Sequence, residues 1–225
     1  MSREAFANVL QQFHQPLLAL LLAADAILIG AHIVTGVLLP RIPLFLNIAV
    51  DHSLPELLCY AEMIAASGIM LRAFRRTGTA LCLSFAAVLF VMMLDDSLQL
   101  HEAIGASFAE SLHIAAFAGV EAKDSGELIA WGLLGSVLLL FGIFGLVRTP
   151  IASWPRFFML AVLVGMLGFF AVGVDFLHDP VCAAASWRGY CSQIFDLVED
   201  GGEMIVQSLI LAHVAAVFRD RKGES

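Results

Sequence analysis

The sequence predicts an all-α polytopic membrane bundle with about six transmembrane helices and both termini in the cytoplasm. Hydrophobic residues make up 60% of the chain and charged residues 14%, whereas a soluble domain carries about 25% charged residues. Six apolar runs have the roughly 20 residues that a spanning helix needs. Basic residues favour one side of these runs by nine to three. Together these observations give the fold class and the orientation.

The length of 225 residues suits one compact bundle, so residues 1–225 are predicted to form a single transmembrane domain in contact with the lipid bilayer. The formal net charge is −8, from 20 acidic and 12 basic residues. We expect no nucleic-acid binding, because no basic patch is present to neutralise phosphates. The predicted spans are Leu17–Leu39, Leu54–Leu71, Thr79–Leu100, Leu128–Val147, Phe157–Leu177 and Ile194–Phe218.

Proline and glycine mark the ends of the spans. Pro40 and Pro43 close the first span, and Pro55 lies in the first turn of the second, where a proline is tolerated. The later junctions contain Thr77-Gly78, Thr149-Pro150 and Asp179-Pro180. The moderately apolar stretch 103–120 is either an interfacial helix or an extension of the third span.

The basic residues fix the expected orientation, because cytoplasmic loops are enriched in lysine and arginine. The favoured side carries Arg3, Arg72, Arg75, Arg76, Arg148, Arg156, Arg219, Arg221 and Lys222, and the other side carries Arg41, Lys123 and Arg188. Residues 40–53, 101–127 and 178–193 then form outer loops. We expect a bacterial inner membrane protein in which these loops face the periplasm.

Two of the four cysteines lie in the last outer loop. Cys182 and Cys191 can form a disulfide if this loop faces an oxidising compartment. Closing so short a loop would contribute about 2–3 kcal/mol. Cys59 and Cys82 fall on spans and are expected to be buried thiols.

Three acidic stretches lie where spans meet the outer face, at residues 95–102, 175–179 and 196–203. The topology predicts that they meet on one side of the membrane. They carry about nine carboxyl groups and two imidazoles, with Arg188 as the nearby base. Ion pairing cannot neutralise such a set. We therefore expect either retained protons, as crowded like charges require, or a bound cation.

Helical spacing divides the first of these stretches. Asp95, Gln99 and Glu102, at i, i+4 and i+7, share one face of a continuous helix. Asp96 and His101 lie off that face. All five groups can reach one centre only if the helix breaks.

Carboxylate and imidazole groups from facing helices are the ligands with which bundle proteins hold metals. Mixed ligation suits zinc, iron or manganese, whereas an oxygen-only subset suits calcium or magnesium. The sequence therefore predicts a divalent metal site. Its candidate residues are Asp95, Asp96, His101, Glu102, Asp175, His178, Asp179, Glu199 and Glu203.

The leading functional hypothesis is a membrane protein with a periplasm-facing metal site. If the site is catalytic, metal-activated water would act on a lipid-borne or periplasmic substrate, with a spare carboxylate as general base. Two other classes stay open. One is a proton- or cation-coupled transporter, and the other is a non-catalytic accessory subunit of a larger membrane complex. The expected partners are the lipid bilayer and either further copies of this chain or a larger membrane complex.

Three ionisable residues lie deeper in the spans. Asp25 and His32 are seven residues apart on the first span, and Glu62 is near the middle of the second. A charge at the centre of a bilayer helix costs about 2.5–3.5 kcal/mol, so these groups are expected to face the bundle interior. They form either a proton path that continues the outer site or a buried hydrogen-bonded pair of Asp25 with His32.

A short pattern resembles a known group of proteins. Leu94-Asp95-Asp96, followed by Leu100-His101-Glu102 at the end of an apolar helix, resembles a family of uncharacterised bacterial multi-pass membrane proteins with an Asp-(Asp/Glu)…His-Glu element. Ser53-Leu54-Pro55-Glu56 at the start of the second span is similar to that group as well. The resemblance implies a multi-pass membrane fold and brings no activity with it.

Overall fold

The computed structural model describes residues 11–116, 120–185 and 188–218, and within them the fold is all-helical. The helices are α1 (Gln15–Leu38), α2 (Leu54–Thr77), α3 (Ala80–Ser97), α4 (Leu100–Ser111), α5 (Ala122–Arg148), α6 (Pro155–Ala184) and α7 (Arg188–Val217). Helix α6 contains a π-helical segment at Phe169–Val174. Short 3-10 turns lie at Leu44–Leu46 and Ile151–Ser153.

Helices α1, α2, α3, α5 and α6 are each long and apolar enough to cross a membrane. Their large apolar side chains remain on the outer surface, as with Ile27 on α1 and Leu140 and Val147 on α5, which are 65–78% exposed. So much apolar surface suits contact with lipid tails. The chain is therefore a helical membrane protein. Helix α7 has 30 residues but carries four acids between positions 196 and 203.

Several helices are longer than the predicted spans. Helix α2 runs on to Thr77 instead of Leu71, α5 begins at Ala122 instead of Leu128, and α6 continues to Ala184 instead of ending at Leu177. The physical reason is that apolarity marks the part of a helix that contacts lipid, while backbone hydrogen bonding continues into polar sequence. Pro180 lies inside α6, so it does not end that helix.

The third predicted span is broken near its outer end. Helix α3 ends at Ser97, and Gln99 has a φ of 51°, in the left-handed region, before α4 begins at Leu100. The stretch 103–120 is thus no extension of the third span, since its first part belongs to the separate helix α4. The expected common face of Asp95, Gln99 and Glu102 does not form, because the turn at Gln99 changes the helix direction.

Helix α7 is at the centre of the bundle and packs against α1, α2 and α6. Val206, Ile210 and Val214, four residues apart along α7, are at most 2% exposed. They join a core that also includes Met63 and Met70 from α2. The second half of α7 is therefore an apolar axis, and its acidic first half points toward one end of the bundle.

The other end of the bundle is basic in the structure. Arg76 on α2 and Arg156 on α6 donate hydrogen bonds to the carbonyl oxygens of Phe218 and Val217, each at 3.5 Å. Cations at a helix C-terminus are stabilised by its unpaired carbonyls and dipole. Of the residues used above for orientation, Arg3, Arg219, Arg221 and Lys222 lie outside the described residues.

Two glycines allow α4 and α5 to approach closely. A Cβ added to Gly105 would lie 2.6 Å from the backbone nitrogen of Glu127, and one added to Gly126 would lie 2.8 Å from the carbonyl carbon of Gly105. Backbone atoms are on the other side of both contacts, so a rotamer change cannot relieve the overlap. This contact fixes the start of α5 against α4.

We predict that Gly105→Ala and Gly126→Ala each destabilise the protein by about 1–3 kcal/mol, the usual cost of overpacking. Thermal unfolding in detergent measures the effect. Gly132→Ala is the matched control on α5, since a Cβ there has nothing within 4 Å, and it should leave the unfolding temperature unchanged or raise it slightly. Equal behaviour of all three variants would contradict this account of the helix contact.

Candidate functional site

An open cavity of about 350 Å³ lies at the end of the bundle opposite Arg76 and Arg156. All three acidic stretches contribute to it, together with the start of α2, the loop before α2 and the start of α5. Its carboxyl groups come from Asp51, Glu56, Asp96, Glu102, Asp124, Glu127, Asp175, Asp196, Glu199, Asp200 and Glu203. The three acidic stretches therefore meet at one end of the bundle, as the order of the predicted spans requires.

The charge of this cavity is strongly one-sided. Among its described lining residues, Lys123 is the one lysine or arginine beside eleven carboxyl groups. Its ammonium nitrogen lies 3.1 Å from Glu102 and 3.0 Å from Glu127. One ammonium group cannot balance eleven carboxyls, so the rest of the cavity attracts protons or cations.

The floor of the cavity is formed by Asp96, Glu203 and Gln207. These residues also line a smaller pocket of about 30 Å³ that extends inward past Met63 and Met92. Gln207 is 6% exposed, and its side-chain oxygen has no hydrogen-bond partner among the described residues. A buried amide oxygen without a partner costs free energy, so this oxygen has the capacity to accept a hydrogen bond from a ligand or water.

Asp95 does not line the cavity but pairs with His101. The Asp95 carboxylate is 3% exposed and lies 2.8 Å from the Nδ1 atom of His101. The His101 ring also contacts the ring of Trp131, with centroids 4.9 Å apart. The break at Gln99 makes this pairing possible, since it brings the first turn of α4 back against the end of α3.

The carboxylates around His101 favour its charged form. Burial alone lowers the pKa of His101, but the hydrogen bond with Asp95 and the negative charges of Glu127 and Glu102 outweigh it. The pKa of His101 therefore lies above its ordinary value. A protonated imidazole is a poor metal ligand, because both ring nitrogens then carry hydrogen.

His178 connects α6 to α7 at the cavity wall. Its Nε2 atom lies 3.0 Å from the hydroxyl of Ser192, and its ring stacks on Phe195 with centroids 5.3 Å apart. The π-helical segment immediately before Asp175 sets the direction in which this end of α6 continues. Such segments are common at functional sites.

The predicted disulfide is present near His178. Cys182 and Cys191 are bonded, with Cα atoms 5.5 Å apart, and Cys191 is fully buried. The bond joins the end of α6 to the start of α7. It therefore holds together the two helices that carry Asp175, His178 and the acidic half of α7.

The loop before α2 closes one side of the cavity through short polar contacts. Glu56 accepts hydrogen bonds from the His52 backbone N–H and the Tyr60 hydroxyl, and Gln99 donates to Asp51. The His52 ring also lies 3.2 Å from the carbonyl oxygen of Ser97. The turn at Gln99 is thus tied to the loop as well as to α3.

Most of the predicted metal ligands reach the cavity, but they are not gathered as a ligand set. Those that line it are Asp96, His101, Glu102, Asp175, His178, Glu199 and Glu203. Asp95 pairs with His101 and does not line the cavity. The side chain of Asp179 lies outside the described residues. In the described part of the chain, no three His, Cys, Asp or Glu side chains are placed to hold one ion.

The deeper residues of the predicted proton path divide between two places. The Ser208 hydroxyl lies 2.8 Å from Asp25 and 3.2 Å from Glu62, so α7 links α1 to α2 in the bundle interior. His32 is instead near the cavity end, where its Nδ1 atom accepts a hydrogen bond from the Ile48 backbone N–H. Asp25 is thus paired through Ser208, and the expected pair of Asp25 with His32 is not the arrangement found.

Several cavity residues were not among the sequence candidates. Lys123, Asp124 and Glu127 are in the first turns of α5, in a charged run that the apolar criterion assigned to a loop. Asp51 lies in the loop before α2, where nothing in the sequence distinguished it. The charged residues clustered at 121–127 could have been found from the sequence. They come directly before a predicted span, at the same membrane face as the three acidic stretches, and so were expected to lie near them.

These features define a helical membrane protein with an acidic cavity at one end. A family model described as a domain of unknown function (DUF8692) matches residues 16–217. The chain therefore belongs to this family, which agrees with the expectation of an uncharacterised family. No curated protein matches the chain. No solved structure matches it either.

We predict that the His101–Asp95 pair makes stability depend on pH. The raised pKa means that the folded protein binds the proton more tightly than the unfolded chain. This stabilisation is complete below the unfolded pKa of about 6.5 and is lost as pH rises through the folded value. The unfolding temperature of wild type should be higher than that of His101→Gln. This difference should be largest at low pH and should shrink as pH increases.

Asp95→Asn is the matched variant for this experiment. It removes the strongest of the charges that favour protonated His101 and keeps the size of the side chain. The difference in unfolding temperature between Asp95→Asn and His101→Gln should therefore fall less with rising pH than the difference between wild type and His101→Gln. A wild-type advantage that grows with rising pH would contradict the assignment.

Proposed function

We propose that this protein binds a divalent cation in the acidic cavity, on the outer side of the membrane. The observation that carries the proposal is the imbalance of eleven carboxyl groups against one ammonium in a cavity of about 350 Å³. A cation that enters replaces the repulsion among these groups with attraction. The binding energy thus comes from charges that the fold has already brought together.

The donor atoms favour a hard cation. His101 is engaged with Asp95, and His178 with Ser192 and Phe195, so the free groups are carboxylates and the Gln207 amide oxygen. Oxygen ligands suit manganese, calcium or magnesium better than zinc. Of the zinc, iron and manganese expected from mixed ligation, manganese is the one this chemistry supports.

The floor of the cavity is the place where the cation would be held. Asp96 and Glu203 supply negative oxygens from α3 and α7, and Gln207 supplies a neutral one whose partner is missing. Since the side chains are not already arranged as a ligand set, binding would draw α3 and α7 side chains together. Neighbouring carboxylates such as Asp200 would then accept hydrogen bonds from the ion's remaining waters.

The proposed orientation puts the cavity in an oxidising compartment such as the periplasm. Helix α7 would be the sixth crossing, with its acidic half in the cavity and its apolar half in the bundle core. The basic end around Arg76 and Arg156 would then face the cytoplasm, together with both termini. The disulfide of Cys182 with Cys191 supports this direction, because such bonds persist outside the reducing cytosol.

Among the rival hypotheses, a cation-coupled transporter gains one specific observation. Ser208 follows the lining residue Gln207 on α7, and Glu62 is one turn from the lining residue Cys59 on α2, so the group of Asp25, Ser208 and Glu62 adjoins the cavity. A polar group that continues an open cavity into the membrane is what a coupled carrier requires. A metal-dependent enzyme or an accessory subunit would not need it.

Cation binding can be measured directly on detergent-purified protein with Mn²⁺, whose electron paramagnetic resonance signal changes on binding. We expect Asp96→Asn, Glu203→Gln and Gln207→Leu each to weaken Mn²⁺ binding by at least about tenfold, or about 1.4 kcal/mol. Each variant preserves the approximate size of the side chain and removes one oxygen or its charge.

The matched control is Glu110→Gln, which removes an exposed acid of α4 that does not line the cavity. It should bind Mn²⁺ as wild type does. Wild-type protein that leaves the Mn²⁺ signal unchanged, or a floor variant that binds as tightly as Glu110→Gln, would reject the proposed site.

The orientation makes a separate prediction. Alkaline phosphatase fused after residue 185 should be active, because the cavity end lies outside, and the same enzyme fused after residue 76 should be inactive. In intact cells, Cys182 and Cys191 should react with a membrane-impermeant thiol reagent only after reduction. An active fusion at residue 76 would show that the orientation is the opposite of the one proposed. It would not affect the interpretation of cation binding in detergent.

A further inference from the structure

The polar group of Asp25, Ser208 and Glu62 has a hydrogen-bond arrangement that two ionised carboxylates cannot satisfy. The Ser208 hydroxyl is within hydrogen-bond distance of the Asp25 Oδ2 atom, at 2.8 Å, and of the Glu62 Oε1 atom, at 3.2 Å. A serine hydroxyl has one hydrogen to donate. If both carboxyls were ionised, one of them would face a lone pair of the serine oxygen.

Burial makes that alternative costly. Asp25 is 2% exposed, Glu62 is 3% exposed and Ser208 is fully buried, in the middle of helices that the surrounding surface places in lipid. The second oxygen of Glu62, Oε2, has no hydrogen-bond partner among the described residues. A charge on Glu62 would therefore be half unsolvated, whereas a neutral carboxyl would leave only one carbonyl oxygen unpaired.

We propose that Asp25, Ser208 and Glu62 form a proton-binding site in the membrane interior, with the proton held on Glu62. In this arrangement the Glu62 Oε1–H donates to the Ser208 oxygen, and the Ser208 hydroxyl donates to the Asp25 carboxylate. The shorter of the two distances is then the bond to the ionised acceptor, as charge-assisted hydrogen bonds are shorter. Every polar hydrogen in the group has an acceptor.

The same geometry provides a route for moving the proton. Breaking the Glu62 O–H and Ser208 O–H bonds while forming new ones at the Ser208 oxygen and at Asp25 Oδ2 transfers one proton from α2 to α1. Serine is unchanged by this exchange, and the negative charge passes from Asp25 to Glu62. Because Ser208 directly follows the cavity residue Gln207 on α7, the exchange takes place next to the acidic cavity.

Infrared spectroscopy of the reconstituted protein at neutral pH, without added metal, tests the proposal. Wild type should show a protonated-carboxyl C=O band that is missing from Glu62→Gln. The glutamine amide can donate to Ser208 in place of the acid proton, so this variant should keep the fold. Asp25→Asn should keep the band, because Glu62 is still buried and its Oε2 atom still has no partner among the described residues. Loss of the band in Asp25→Asn but not in Glu62→Gln would overturn the placement of the proton on Glu62.

The difference between wild type and Glu62→Gln isolates this band from any protonated carboxyls in the cavity. Glu110→Gln, at an exposed position, should leave the spectrum in this region unchanged. A wild-type spectrum identical to that of Glu62→Gln would overturn the proposal. Since no cation is present, this result is independent of Mn²⁺ binding. The infrared experiment can reject the proton site while the cavity binds Mn²⁺, and the Mn²⁺ experiment can reject the cation site while Glu62 holds a proton.

Discussion

The arrangement of this protein depends on one electrostatic constraint, namely that many carboxyl groups share a confined space at the end of an apolar bundle. Lys123 contacts two of them but neutralises only one charge, and His101 is engaged with Asp95. The remaining carboxyls repel one another, and nearby lipid and helix core limit their solvation. Binding a cation and retaining protons are the two physical ways to relieve this repulsion. The open cavity suits the first, and the closed group around Ser208 suits the second.

A strained backbone conformation and close helix packing help to create that space. Gln99 takes a left-handed conformation so that α4 can turn back, and a glycine contact between α4 and α5 brings Lys123 and Glu127 to the wall. On the opposite side, a π-helical segment and the Cys182–Cys191 disulfide fix the end of α6 against α7. Local irregularities that cost stability tend to persist where function needs them. The turn at Gln99, the glycine contact and the π-helical segment each adjoin residues that line the cavity.

A cation site and a proton site stacked along α7 would be electrostatically linked. A divalent ion near Gln207 would lower the energy of a carboxylate at Glu62, one turn below the cavity wall, and so favour release of its proton. Conversely, a proton on Glu62 would reduce the attraction that holds the ion. Such reciprocity is a thermodynamic necessity once both ligands bind. It would give this family of unknown function a simple coupling between cation occupancy outside and protonation inside the membrane.

The sequence by itself determined the features that depend on composition along the chain. The apolar runs were enough for the helical membrane fold and the shared end of the acidic stretches, and the positions of Cys182 and Cys191 were enough for the disulfide. Tertiary structure alone decided which acids face the cavity. Asp95 and Asp96 are adjacent, yet Asp95 pairs with His101 while Asp96 lines the cavity, because the turn at Gln99 brings the first turn of α4 back against Asp95. Likewise, the hydrogen bonds of Ser208 with Asp25 and Glu62 depend on the packing of three helices that are far apart in sequence, so the sequence did not reveal them.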